Sequence, residues 1–98
     1  MLCLVLWEPI DDSEAGQRRS LAVFAQWEPP KGFDIQGFWG FADGSGGAAV
    51  VEIDSSETIA KATGPFTPWL RFTVKPILNI QDAAILEHEA VAFRESVG

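Results

Sequence analysis

Gly32–Asp54, GFDIQGFWGFADGSGGAAVVEID, has the pattern that is typical of two β-strands joined by a tight turn. Strand side chains alternate between the two faces of a sheet, so residues of one parity form one surface. The apolar residues that share such a parity are Phe33, Ile35, Trp39 and Phe41 on the first strand and Ala49, Val51 and Ile53 on the second. Residues 43–47, DGSGG, tolerate the positive φ that a reversing turn needs. The sequence therefore predicts a β-hairpin at the centre of the fold.

The segments on either side of this hairpin predict two more strands and three helices. An apolar run over residues 2–7 indicates a first strand buried on both faces, and a helix with candidate caps follows over about residues 14–27. After the hairpin come a short helix over residues 56–63, an alternating strand over residues 70–78 and a last helix over about residues 81–96. The order β-α-β-β-α-β plus a C-terminal helix predicts one α+β, ferredoxin-like domain over residues 1–98.

The second face of the predicted sheet is too apolar to remain in water, because the first strand is apolar at both parities. The other strands contribute Gln36, Phe38, Val50, Glu52, Arg71, Thr73 and Lys75 to this open face. We therefore predict a homodimer in which the open sheet faces of two chains pack together. The C-terminal helix either wraps the partner or flanks its own sheet edge, and the pattern leaves both alternatives open.

Composition excludes several classes of partner. The formal net charge is −7, with 14 acidic and 7 basic residues, which argues against nucleic acid and against anionic membrane surfaces. The apolar N-terminal run is too short to span a membrane and has no basic leader, so a cytoplasmic protein is expected. The single cysteine, Cys3, cannot form an internal disulfide and is predicted to be buried.

Three segments also resemble a family of short bacterial proteins that is known only as a domain of unknown function. They are FWGFADGSGGAAVVEID at residues 38–54, GPFTPWLRFTVKPILNI at residues 64–80 and the end of the last helix, AFRESV, at residues 92–97. The similarity extends over nearly the whole chain. It implies a ferredoxin-like domain of the dimeric α/β-barrel type, and it implies no activity. The wider barrel group includes isomerases, haem-dependent enzymes, cofactor-free oxygenases and ligand sensors, among which the fold does not choose.

His88 is the only histidine, and it lies between Glu87 and Glu89 on the predicted C-terminal helix. It is either a general base or haem ligand, or a surface residue. Successive residues of a helix point away from each other, so this acidic run is not a preformed metal site. We predict no metal and no cofactor.

Aromatic residues offer a second candidate site. The chain has four tryptophans, seven phenylalanines and no tyrosine. We predict that some of them converge at a cleft between sheet and helix: Trp7, Trp39, Phe41, Phe66 and Trp69. Such a cleft is either a packed core or a site for a flat apolar ligand.

A third candidate is the set of charged residues on the open face. Either Glu52 pairs with Lys75 or Arg71, within or across subunits, or these cations hold a carboxylate ligand beside Glu52 as an acid–base group. The catalytic candidates are then His88, Glu52 and Arg71, and Lys75 joins the aromatic residues as a ligand-binding candidate.

Three hypotheses about function follow. The first is a small dimeric module that binds a small apolar ligand or a protein partner. The alternative is a cofactor-independent isomerase or monooxygenase-like enzyme that acts on an aromatic substrate, with Trp39 beside the three catalytic candidates. The third is a structural homodimer that serves a larger assembly.

Overall fold

The computed structural model describes the whole chain, Met1–Gly98. Its elements in chain order are β1 (Leu2–Pro9), α1 (Glu14–Gln26), β2 (Phe33–Gly40), β3 (Gly47–Ile53), α2 (Ser56–Thr63), a 3₁₀ turn (Gly64–Phe66), β4 (Leu70–Pro76) and α3 (Ile80–Val97). The four strands form one antiparallel sheet in the order β2-β3-β1-β4. This confirms the predicted α+β class, and the element order is consistent with a ferredoxin-like fold.

The helices begin where polar side chains cap them. Ser13 Oγ accepts a hydrogen bond from the Gly16 amide, and Asn79 Oδ1 accepts one from the Gln81 amide. Each bond satisfies an amide that has no partner inside its helix. The strand β4 ends at Pro76, two residues earlier than predicted, and the Ile77 amide makes a last hydrogen bond to the Leu2 carbonyl at 3.0 Å.

The start of α2 is held by a small hydrogen-bond network. Ser55 Oγ accepts from the Thr58 amide, and the Thr58 hydroxyl donates to Asp54 Oδ1 at 2.6 Å. Because a hydroxyl donor favours the charged carboxylate, the Thr58 hydrogen bond lowers the pKa of Asp54 below its ordinary value.

The core lies between the sheet and α2. Its fully buried members include Cys3, Val51 and Ile53, joined by Phe33 and Ala62. The predicted burial of Cys3 is therefore confirmed. Burial of these apolar side chains is the main favourable term in folding.

A β-bulge in β2 makes one part of the hairpin prediction wrong. Ile35 pairs with Val51 and Gly37 pairs with Val50, so Gln36 is an extra residue without a partner. Beyond it Phe38 lies opposite Ala49 on the helix-covered face, and Trp39 lies opposite Ala48 on the open face. Both assignments are the reverse of the prediction, which assumed uninterrupted alternation. Phe41 lies past the end of β2.

The turn between β2 and β3 requires glycine at Gly46. Its φ is +144°, and a Cβ atom there would collide with the backbone carbonyl of Trp7. Asp43 Oδ1 accepts hydrogen bonds from the amide and the hydroxyl of Ser45, which close the turn and lower the pKa of Asp43.

The last helix, α3, projects from the rest of the molecule and gives it extents of 57 × 28 × 22 Å. None of its residues is buried. It therefore does not flank its own sheet, which was one of the two predicted alternatives. None of the three helices has both the length and the apolar character needed to cross a membrane.

Candidate functional site

A cavity of about 400 Å³ lies between α1 and the helix-covered face of the sheet. Most of its lining is apolar, and much of it is aromatic. The aromatic residues that border it are Trp7, Phe24, Trp27, Phe33, Phe38, Trp39, Phe66 and Phe72. Cavities of this volume are in the range that small-molecule sites occupy.

The cavity exists because α1 does not pack closely on the sheet. Gly16 is the only buried residue of α1, and the large side chains of Leu21 and Phe24 remain 64% and 47% exposed. The ring of Phe24 still meets that of Phe38 across the gap, with centroids 5.9 Å apart. The helix is thus held over the sheet by aromatic side chains rather than by close backbone packing.

Edge-to-face contacts connect the aromatic residues into one wall. The ring centroids of Trp7 and Phe38 are 5.4 Å apart, and those of Trp27 and Phe66 are 5.7 Å apart. Phe66 continues the wall to Phe72 at 6.5 Å. Such pairs stabilise each other by about 0.5–1.5 kcal/mol beyond burial, so the wall keeps its shape.

No ionisable side chain lines the cavity. Its side-chain hydroxyls are those of Ser20 and Thr63, and the Thr63 hydroxyl already donates to the Ile59 carbonyl at 2.9 Å. A charged ligand would lose its hydration without gaining a counter-ion there. The lining therefore suits a neutral apolar molecule.

The predicted aromatic cleft is brought together only in part. Trp7 and Phe66 line the cavity. Trp39 borders it, but its indole lies over Gly37 on the open face, and the residue is 55% exposed. Trp69 and Lys75 do not line it. The backbone carbonyl of Trp69 instead accepts the amide of Ile10 at 2.9 Å and so fixes the loop after β1.

Phe41 and Arg71 meet at a second concavity, of about 330 Å³, near one end of the sheet. Leu6, Glu8 and Thr73 also border it. The Arg71 guanidinium lies 3.6 Å from the Glu8 carboxylate, and both side chains are largely exposed to water. Such an exposed pair contributes little to stability.

The three catalytic candidates lie far apart. Along β1, Glu52 pairs opposite Leu2 and Arg71 pairs opposite Glu8, which are six positions or about 20 Å from each other. Glu52 Oε1 accepts a hydrogen bond from the Met1 amine instead. Within one chain the predicted pairing of Glu52 with a β4 cation is therefore not formed.

His88 lies on the projecting helix α3, away from both Glu52 and Arg71. The structure describes no group of histidine, cysteine and acidic residues that could hold a metal ion.

Phe24, Phe38 and Phe72 line the cavity but were not among the predicted site residues. Phe24 could have been found, because its spacing of three residues from Leu21 places both side chains on one face of α1. Phe38 could not, because the bulge that turns it inward leaves no clear sequence signal.

Comparison with known proteins gives one match. A family model described as a domain of unknown function, DUF3303, matches residues 1–91 and so covers nearly the whole chain. This confirms the resemblance drawn from the sequence. No curated protein matches the chain.

Proposed function

The chain belongs to the DUF3303 family, a domain of unknown function, and we propose that it is a binding module that holds a small, neutral, apolar molecule between α1 and the sheet. The observation that carries this proposal is the cavity of about 400 Å³ with no ionisable group in its lining. Affinity would come from apolar and aromatic contact, and orientation from the few polar atoms at the walls.

The aromatic wall narrows the class of ligand. Rings such as those of Trp7, Phe38 and Phe66 offer faces and edges on which a flat, unsaturated molecule packs well. The mouth of the cavity lies beside Leu21 and Phe24, whose exposed side chains would be covered by such a ligand. The enzyme alternative has no comparable support, because acid–base catalysis needs a titratable group at the reacting atoms.

We also propose that the module is a homodimer through its open sheet face. Leu2, Leu4, Leu6 and Val50 are only half-buried there, and Trp39 stands above them. An apolar surface of this kind is typical of an interaction site.

The test uses the neutral fluorophore N-phenyl-1-naphthylamine, whose emission rises in apolar surroundings. We expect saturable binding to the wild-type chain. In Ala49→Ile the new side chain enters the cavity, because Ala49 lies on its floor. A ligand that must share the cavity with this side chain should bind with a free energy less favourable by about 1–3 kcal/mol, which is a roughly five- to 150-fold rise in Kd.

The matched control is Ala48→Ile. Ala48 is the neighbour of Ala49 on β3, and its side chain points to the open face. This variant should bind the fluorophore as the wild type does. Absence of saturable binding to the wild type, or equal Kd values for Ala49→Ile and Ala48→Ile, would refute the proposed site.

A further inference from the structure

The helix α3 carries an apolar seam that nothing in its own chain covers. Its members recur at intervals of three and four residues, and they are Ala83, Leu86, Ala90, Phe93 and Val97. Leu86, Phe93 and Val97 are 50%, 70% and 74% exposed. Residues at this spacing lie along one side of a helix.

An 18-residue helix without packing is marginal in water, because most helical stability in proteins comes from tertiary contact. The sequence of α3 nevertheless specifies a complete helix, with the Asn79 cap at its start and a Glu-rich middle. Such a helix is stabilised when another surface packs against its apolar side chains.

The open sheet face is the second uncovered apolar surface. A strip of Leu2, Leu4 and Leu6 runs along β1, beside Val50 on β3 and the half-exposed Trp39. The eight residues of β1 span about 26 Å, and the eighteen residues of α3 span about 27 Å. The helix therefore matches β1 in length, although the three leucines of the strip occupy only about the first 13 Å of that strand.

Along β4 the charges of the open face are complementary to those of α3, although Glu8, Asp34 and Glu52 place carboxylates elsewhere on that face. On the open face β4 presents Arg71 and Lys75, and Lys75 forms no ion pair within the chain. Against the single cation Arg94, α3 carries four carboxylates, those of Asp82, Glu87, Glu89 and Glu95. Complementary potentials of this kind favour one pairing over others.

We propose that α3 of each chain lies across the open sheet face of a second copy of the chain. This inference rests on the proposed homodimer and names the element that forms its contact. The exchange covers both apolar surfaces at once, and it is reciprocal, as a two-fold symmetric dimer requires. Each sheet then has helices on both faces, as sheets with two apolar faces do.

The first test is the mass of the full-length chain in solution, measured by light scattering during gel filtration. We expect a dimer for the wild type. Leu86→Glu places a charge in the seam and should raise the dimer dissociation constant at least tenfold. The matched control is Ile85→Glu, since Ile85 is similarly exposed, at 57% against 50% for Leu86, but lies off the seam. A monomeric wild type would refute both the homodimer and the exchange.

The second test separates the exchange from direct sheet contact. Val50 lies near the centre of the strip and Ala90 at the centre of the seam, so the two should be close whichever way the helix runs. A chain with Val50→Cys is mixed with a chain with Ala90→Cys and treated with a short bismaleimide. We expect a linked heterodimer, and the buried Cys3 of the wild type should give none.

Ala92→Cys is the control partner for the Val50→Cys chain, because Ala92 lies on the opposite side of α3 from the seam. It should link much less than Ala90→Cys. A wild-type dimer in which Val50→Cys links only to itself would place sheet against sheet, and one in which Ala90→Cys links only to itself would place helix against helix. Either result would overturn the exchange while leaving the homodimer intact.

Discussion

Replacing Ala49 by isoleucine should stabilise the protein, although Ala49 is almost fully buried, with only 3% of its surface exposed. In a filled core this change would be harmful, since overpacking costs about 1–3 kcal/mol. Here the side chain faces the cavity of about 400 Å³, where its added carbons leave water without displacing other atoms.

The size of the effect follows from the chemistry of the change. Isoleucine adds three carbons to alanine, and each buried methylene contributes about 0.8 kcal/mol, or roughly 2.4 kcal/mol together. Ordering the longer side chain costs about 0.5–1 kcal/mol. The free energy of unfolding should therefore rise by about 1.5 kcal/mol, which for a domain of 98 residues raises Tm by roughly 6–12 °C.

The measurement is urea unfolding followed by circular dichroism, with each chain at several concentrations, because Ala48 lies on the proposed dimer face and an effect on dimerisation must be separated from one on folding. Ala48→Ile is the control, because it makes the same gain in strand propensity on the opposite face. Only the difference between the unfolding free energies of the two variants shows whether the Ala49 side chain faces open space. If Ala49→Ile were less stable than Ala48→Ile by 1 kcal/mol or more, the space beneath α1 would be closed and the binding proposal would lose its basis.

Three further predictions concern the helix cap, the turn and the β-bulge of the fold around this site. The pKa of Asp54 is lowered in the folded state, so its contribution to stability is present above about pH 4 and is lost as the pH falls below that value; Asp54→Asn should flatten this part of the stability–pH profile measured by urea unfolding. Gly46→Ala should destabilise by about 1–3 kcal/mol in thermal unfolding, whereas Gly64→Ala, at φ −50° with open space around it, should be neutral or stabilising. Deleting Gln36, the unpaired residue of the bulge, should leave a cooperative unfolding transition, while deleting Asp34 should abolish it by shifting Phe33 out of register; equal damage by both deletions would contradict the bulge.

The sequence predicted the elements well because their signals are local. Ser13, Ser55 and Asn79 cap the helices that they were expected to begin or precede, and α2 has the predicted bounds. The alternation in β3 correctly placed Val51 and Ile53 in the core. The failure came at Gln36, because a bulge depends on the pairing of two strands and not on the composition of one.

The cavity was predictable in its chemistry and not in its volume. The aromatic content indicated a surface rich in rings, and Trp7 and Phe66 do line the space. Whether rings fill a volume or enclose one depends on how far α1 stands from the sheet. That distance is set by many weak contacts, none of which leaves a pattern in the sequence.

The charged residues show most clearly why a shared face does not make a site. Glu52 and Arg71 have the predicted parity, but parity fixes only the side of the sheet on which a residue lies. Their position along it is fixed by the registers of β3 and β4 against β1, which place them about 20 Å apart. General acid–base chemistry needs groups within hydrogen-bond reach of one substrate. These groups lie at opposite ends of one face, and the cavity lies on the other face. Shape and apolar contact are therefore the properties by which this fold would recognise a ligand.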